Sequence, residues 1–227
     1  MITTTINKEI TMESMKSVAK PTKTTIKFYP IVKRVMDVLG ASVGLLLLTP
    51  FLIILALIIK LSDLRAPVFF KQERIGKNGK RFLMYKFRTM IPNAEEKLAE
   101  LLQFNEVEGA MFKMKHDPRV TKLGSFLRKT SIDELPQLLN VIKGNMSLVG
   151  PRPPLEREVA EYSVRDYGRL SITPGCTGLW QVSGRNDVSF AEMVDLDLEY
   201  IQKVSFALDI QILLRTVRVI FVPNGAY

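Results

Sequence analysis

Cysteine and histidine are nearly absent. The chain holds one of each, Cys176 and His116, so it forms no internal disulfide, and a Cys–His nucleophilic pair has a single candidate partnership. The first scarcity points to a reducing compartment. Both residues read as bystanders: Cys176, before Thr-Gly in a turn-like stretch, as a packing residue, and His116, before the Asp117-Pro118 turn, as an exposed or hydrogen-bonded imidazole. The N-terminus lacks the early apolar run and small-residue cleavage site of a secretory signal, and no repeat of solenoid length is visible. The largest gap is in charge: from Val38 to Ile59 there is no charged residue.

What is present begins with a positive balance. A formal charge of +9 over 227 residues points to an anionic partner, whether nucleic acid, a phospholipid surface or a phosphorylated small molecule. The length suits one sizeable domain. Residues 1 to about 25 are rich in Thr and Lys and read as a disordered basic tail, taken to residue 30 at the domain boundary. The uncharged run is long enough to cross a bilayer as a helix. A single straight span is the simple reading, but Pro50 lies mid-run, and basic residues flank both ends: Lys33 and Arg34 before, Lys60, Arg65 and Lys71 after. The positive-inside bias therefore places both flanks in the cytoplasm, and a helix over 31–62 that enters one leaflet, bends at Pro50 and returns satisfies it.

The remainder, 63–227, predicts an α+β, mainly helical domain with a small β-hairpin. Pro67 to Phe70 and Phe82 to Phe87 read as strands around the Gly-punctuated, basic Arg74–Lys80 turn. Helical patterns follow over Met90–Leu102, Val120–Lys129, Glu156–Leu170, Phe190–Val204 and Phe206–Val222, with Ser189 and Glu192 as a capping box. Met146–Val149 reads as a short strand. Gly150-Pro151-Arg152-Pro153-Pro154 is a rigid loop, holding either a surface arginine or a ligand-clamping one. The glycines of Thr173–Asn186 allow close backbone approach to a ligand, a weak phosphate signal by themselves.

The chemistry concentrates at Ser131-Ile132-Asp133-Glu134-Leu135-Pro136. A capping box from Ser131 to Glu134 is the structural reading, though Pro136 suits a helix starting nearer Asp133. Leu135, Leu138, Leu139 and Ile142 would then bury one face. In a basic chain, paired carboxylates at a helix start fit phosphoryl transfer. Arginines and Mg²⁺ neutralise phosphate oxygens, Glu134 holds the hard cation, and an Asp carboxylate attacks phosphorus.

Several stretches together resemble the bacterial sugar transferases, the monotopic phosphoglycosyl transferase family. They are Lys33-Arg34-x-x-Asp37, Phe69-Phe70-Lys71-Gln72-x-Arg74-Ile75-Gly76, Lys86-Phe87-Arg88-Thr89-Met90 and Asp117-Pro118-Arg119-Val120-Thr121. Ser131-Ile132-Asp133-Glu134-Leu135-Pro136-Gln137, Met146-Ser147-Leu148-Val149-Gly150-Pro151-Arg152-Pro153 and Gly178-x-x-Gln181-x-x-Gly184-Arg185 continue the match in order. The resemblance implies transfer of a hexose-1-phosphate from a UDP-hexose to polyprenol (undecaprenyl) phosphate, the initiating step of exopolysaccharide, capsule or other cell-surface glycan synthesis. It implies Asp133 as nucleophile of a covalent phosphosugar intermediate with release of UMP, and Glu134, with Asp133, as the Mg²⁺ site. Arg88, Arg152 and Arg185 become candidate phosphate or nucleotide contacts, with Pro151 and Pro153 shaping the nucleotide pocket. The re-entrant helix maps on Lys33 to about Ser62, and the chain resembles the small, catalytic-domain-only form. It would sit on the inner (cytoplasmic) membrane, catalytic domain facing the cytoplasm, with lipid and not nucleic acid as partner. The hexose, the polymer and the oligomeric state, monomer or homodimer, stay open. Two other readings remain: a non-enzymatic, membrane-anchored basic adaptor, and a phosphotransferase without a covalent intermediate.

Overall fold

The computed structural model describes residues 28–106, 112, 114–184 and 188–221, so the basic tail and Arg185 lie outside the described residues. Helix α1 runs from Tyr29 to Ser62. The expectation of two arms parted at Pro50 meets a single helical run, in which Pro50 withholds the donor that Leu46 O would accept and Thr49 Oγ1 donates to Leu45 O at 2.6 Å. At about 1.5 Å per residue the helix is roughly 50 Å long.

Both of its ends are fastened to the rest of the chain. Near the start, Tyr29 Oη and Lys33 Nζ donate to Asp209, Arg34 donates to the carbonyls of Val141 and Ile142, and Asp37 accepts from the amide of Leu148. Near the finish, Leu55 and Ile59 are buried against Phe87 and Leu127, and Arg88 Nη2 donates to Ile59 O and Ser62 Oγ. The opposite face stays bare, with Leu46 and Leu47 about three-quarters exposed. That stripe is long and apolar enough to meet a bilayer.

Strands β1 (Phe69–Ile75) and β2 (Arg81–Phe87) form an antiparallel hairpin, longer than expected because residues 71–73 and, from the expected turn, Arg74 and Ile75 join the pairing. Helix α2 covers only Leu98–Leu101 of the Met90–Leu102 pattern. Residues ahead of it are held elsewhere: Ile91 N donates to Arg119 O, Met90 bridges Val120, and Arg119 Nη1 donates to Ala94 O. Helix α3 (Lys122–Lys129) is capped by Thr121 and lies flush on the preceding segment; a Cβ at Gly124 would stand 1.9 Å from Thr89 O.

The Ser131 capping box does not form. Ser131 is left-handed (φ 55°) and its side chain caps nothing; a 3₁₀ turn over Ile132–Gln137 leads into helix α4 (Leu138–Lys143). The tighter turn accommodates Pro136 and shifts the helical phase. Gln137, Asn140 and Val141 are therefore buried, whereas Leu139 and Ile142, expected inside, are about 40% exposed. Asn140 then acts as an extra strand residue: its Oδ1 accepts from Tyr85 N and its Nδ2 donates to Leu83 O, fixing the turn against β2.

Strand β3 (Ser147–Val149) pairs in parallel with β4 (Gly175–Thr177). The glycines here admit backbone rather than ligand, since a Cβ on Gly175 would stand 2.1 Å from Gly150 N. Helix α5 (Glu156–Ala160) is only the first part of the Glu156–Leu170 pattern, which resumes as a 3₁₀ turn at Asp166–Ser171. Helices α6 (Leu179–Ser183), α7 (Phe190–Lys203) and α8 (Phe206–Phe221) follow. The Ser189–Glu192 capping box of α7 forms. Val149, Val194, Leu198, Tyr200, Ile201 and Ile212 make the principal core, which draws β3 against α7 and α8.

Candidate active site

A cleft of about 720 Å³ opens between β2, the Asp133 turn, the Pro-rich loop and α6. Its size lies in the range of small-molecule sites. Asp133, Glu134, Lys86, Arg128 and Arg152 line it together, although they come from four separated parts of the chain. Asp133 is 6% exposed. Burial pushes its carboxyl up to about 6, with Glu134 adding to the rise and Lys86 and Arg128 opposing it. At neutral pH it is mostly ionised, yet only partly solvated. Glu134 projects further, its side chain 41% exposed, and accepts from Lys86 Nζ at 2.6 Å.

Strand alternation delivers that lysine: Phe82, Met84 and Lys86 share one face of β2, and Asn140 holds the turn against the same strand. Arg128 comes from the last turn of α3, where Nε donates to Thr89 Oγ1 at 3.0 Å. Deeper in, Arg119 forks onto Asp117, and Arg74 is gripped by Gln72 Oε1 while donating to Pro153 O.

The expected contacts divide. Arg152 and Pro153 line the cleft; Arg152 Nη1 reaches Glu158 Oε2 at 3.0 Å. Burial works against the charge on Glu158, but Arg152 and Arg74 outweigh it and hold its carboxyl below the usual range. Arg88 lines the cleft edge, with donors directed to Ile59 O and Pro67 O, so it joins α1 to the site. Pro151 stands behind the wall, buried, with its carbonyl accepting from Gly175 N. Cys176 packs beside Met84, as expected, and also lines the cleft; burial pushes its thiol up. Lys86, Arg128, Arg74 and Arg119 were given no role from the sequence. Each lies in a stretch that carried the resemblance or just before one, and only the fold gathers them.

The donor set suits a hard divalent cation shared with substrate. Among the described residues no group of three or more His, Cys, Asp or Glu side chains converges. Two adjacent carboxylates on a substrate-sized cleft fit Mg²⁺, which is commonly held by one or two carboxylates plus substrate phosphates.

Comparisons with known proteins give the chain its family. The galactosyl transferase CpsE of Streptococcus agalactiae is 46% identical over 207 residues, covering 89% of this chain and 46% of that protein. The exopolysaccharide production protein ExoY of Rhizobium meliloti is 46% identical over 199 residues, covering 86% of this chain and 88% of that protein. The undecaprenyl-phosphate galactose phosphotransferase of Salmonella typhimurium is 43% identical over 199 residues, covering 86% and 41%. The chain thus spans less than half the length of the first and third relatives and most of the second. The family model of the bacterial sugar transferases matches residues 28–223, from the start of α1 past the end of α8. The chain belongs to the bacterial sugar transferase family.

Proposed function

We propose that this protein transfers a hexose-1-phosphate from a UDP-hexose to polyprenol phosphate through a covalent intermediate on Asp133. The observation that carries the reading is the buried Asp133 carboxyl, raised to about 6, beside Glu134, Lys86 and Arg128 in one cleft. An Asp133 oxygen attacks the sugar-bearing phosphorus, the new O–P bond forms as the bond to the UMP oxygen breaks, and UMP leaves with that electron pair. A phosphate oxygen of the polyprenol phosphate then attacks the same phosphorus, and the breaking acyl-phosphate bond returns its electrons to Asp133. Burial strips water from the nucleophile while leaving it ionised at neutral pH. Lys86 and Arg128 set charge around the phosphoryl oxygens, and Arg152, held by Glu158, faces the nucleotide side. Arg185 keeps its assignment as a further phosphate contact. Asp133 and Glu134 would hold Mg²⁺, which supplies charge neutralisation on the diphosphate when bound.

The acceptor is a lipid, and α1 supplies the approach to it. With both ends fastened to one catalytic body and a bare apolar face between them, α1 favours a helix that dips into one leaflet over one that crosses. Both basic flanks then lie on the cytoplasmic side of the inner membrane. The names of the galactosyl and undecaprenyl-phosphate relatives support the same donor and acceptor classes.

The test is a trapping experiment. Enzyme, Mg²⁺ and radiolabelled UDP-hexose, quenched in acid, yield phosphosugar on a peptide containing Asp133, and Asp133→Asn yields none. An adduct elsewhere, or turnover with no adduct, overturns the reading. For topology, thiol labels at Thr5→Cys and Gly225→Cys both react from the cytoplasmic side; labelling from opposite sides restores the straight span.

A further inference from the structure

Trp180 and Gln181, consecutive in α6, both line the cleft, and each holds a buried polar atom with no hydrogen-bond partner: the indole Nε1–H and the amide Oε1. Native proteins leave few such atoms, and each calls for an explanation. Among the described residues the other two, Ser171 Oγ and Asp197 Oδ1, do not line the cleft. Three of the cleft arginines, by contrast, are already paired: Arg74 with Gln72, Arg119 with Asp117, Arg152 with Glu158. One donor and one acceptor are thus left unpartnered on consecutive residues of α6 that both line the cleft.

We infer that Trp180 and Gln181 form the subsite for the hexose hydroxyls and set which hexose the enzyme accepts. This rests on the transferase reading above. A sugar hydroxyl both accepts and donates, so one hydroxyl, or two neighbouring ones, takes the indole N–H on oxygen and gives a proton to the amide oxygen. A phosphate oxygen only accepts and leaves Gln181 Oε1 opposed. The wall is also in the right place. Cys176, four residues before Trp180, packs beside Met84, and Met84 lies two residues along β2 from Lys86, whose amine holds Glu134. The hexose is bonded to the phosphate that Asp133 attacks, so it lies next to the dyad, with the base farther away. Gly178 lets α6 start flush on the loop after β3, since a Cβ there would stand 2.3 Å from Gly150 O and 2.7 Å from Gln181 Oε1. Both atoms are buried, so each side chain turns about its χ angles to meet a bound ring.

UDP-galactose and UDP-glucose differ in the configuration of one hydroxyl and are the natural probes. For wild type, Trp180→Phe and Gln181→Met, the measurements are kcat/KM for both donors by UMP release, the inhibition constant of UMP alone, and the melting temperature. We expect each variant to lose about tenfold or more in kcat/KM for the preferred donor, equivalent to one unpaired hydrogen-bonding group. The galactose-to-glucose ratio moves toward one, while UMP binds as before. An unchanged ratio in a folded Gln181→Met overturns the inference. So does a rise in the UMP constant that accounts for the whole loss, because the pair then reads the uracil edge. Wild type that releases UMP from no UDP-hexose sinks the transferase reading itself, whatever the variants do.

Discussion

Two aspartates in this protein have similarly raised carboxyls and opposite surroundings. Asp133 and Asp197 are both buried, and burial pushes each carboxyl up to about 6. Asp197 lies in the core of α7, forked by Arg169 Nε at 2.9 Å and Nη2 at 2.8 Å, while Arg169 also donates to Tyr162 Oη and Arg152 O. Burial opposes the charge on Arg169, but Asp197 outweighs it and its value ends above the ordinary one, so the pair stays ionised. Neither group lines the cleft. Asp133 has its cations at one remove, Lys86 being bonded to Glu134 and Arg128 to Thr89, and it opens onto a cavity sized for a substrate. A perturbed carboxyl therefore marks a site only when a space for substrate adjoins it and its neutralising partners are not already spent on it.

The sharpest way to break this comparison is to remove both carboxylates separately. Asp133→Asn is expected to lose on the order of 10⁴-fold or more in UMP release while remaining folded, as removal of a nucleophile does; near-wild-type turnover would end the distinction. Asp197→Asn leaves Arg169 buried without its counter-charge and is expected to cost about 3–5 kcal/mol of stability, read by denaturant titration. Its activity should follow the folded fraction. A selective loss of turnover at full folding would make Asp197 part of the site.

Asp133 is expected to affect stability the other way, because neutralising it leaves no buried arginine without its counter-charge. Its carboxyl is raised from 3.8 to about 6, so the folded state holds the proton more tightly than the unfolded chain. That contribution is fully present below about pH 4 and lost as pH rises through 6. Asp133→Asn should accordingly be more stable than wild type at pH 7.5, by up to roughly 3 kcal/mol, and gain little at pH 4. Thermal melts at the two pH values decide it. The smallest effect concerns the neighbours. In metal-free protein, an isotope-edited carboxyl titration of Asp133 should shift down in Glu134→Gln and up in Lys86→Met, each by about one unit or less. Reversed signs would mean that these two side chains do not act on Asp133 by charge.

Local chemistry was legible where it depends on local rules. The uncharged run became α1, the Ser189–Glu192 box capped α7, and the alternating residues before Arg88 became β2. Asp133, Glu134, Arg152 and Pro153 meet at one cleft, as anticipated. The misses have a common origin. Ser131 looked like a cap because spacing says nothing about a left-handed φ, and Leu139 and Ile142 looked buried because a 3.6-residue period was carried through a 3₁₀ turn. Arg88 lines the cleft too, but its tie to the end of α1, 26 to 29 residues earlier, is invisible locally.

Sequence alone determined the family, the apolar anchor and the identity of the acidic pair, because these rest on residue types in order and at short spacing. Only the tertiary structure decided that Lys86 and Arg128 stand beside Asp133, that Pro151 stands behind the wall, and that both ends of α1 return to the same body. Those facts depend on contacts between residues tens to well over a hundred positions apart, and short-range patterns carry no record of which distant groups will share a buried space.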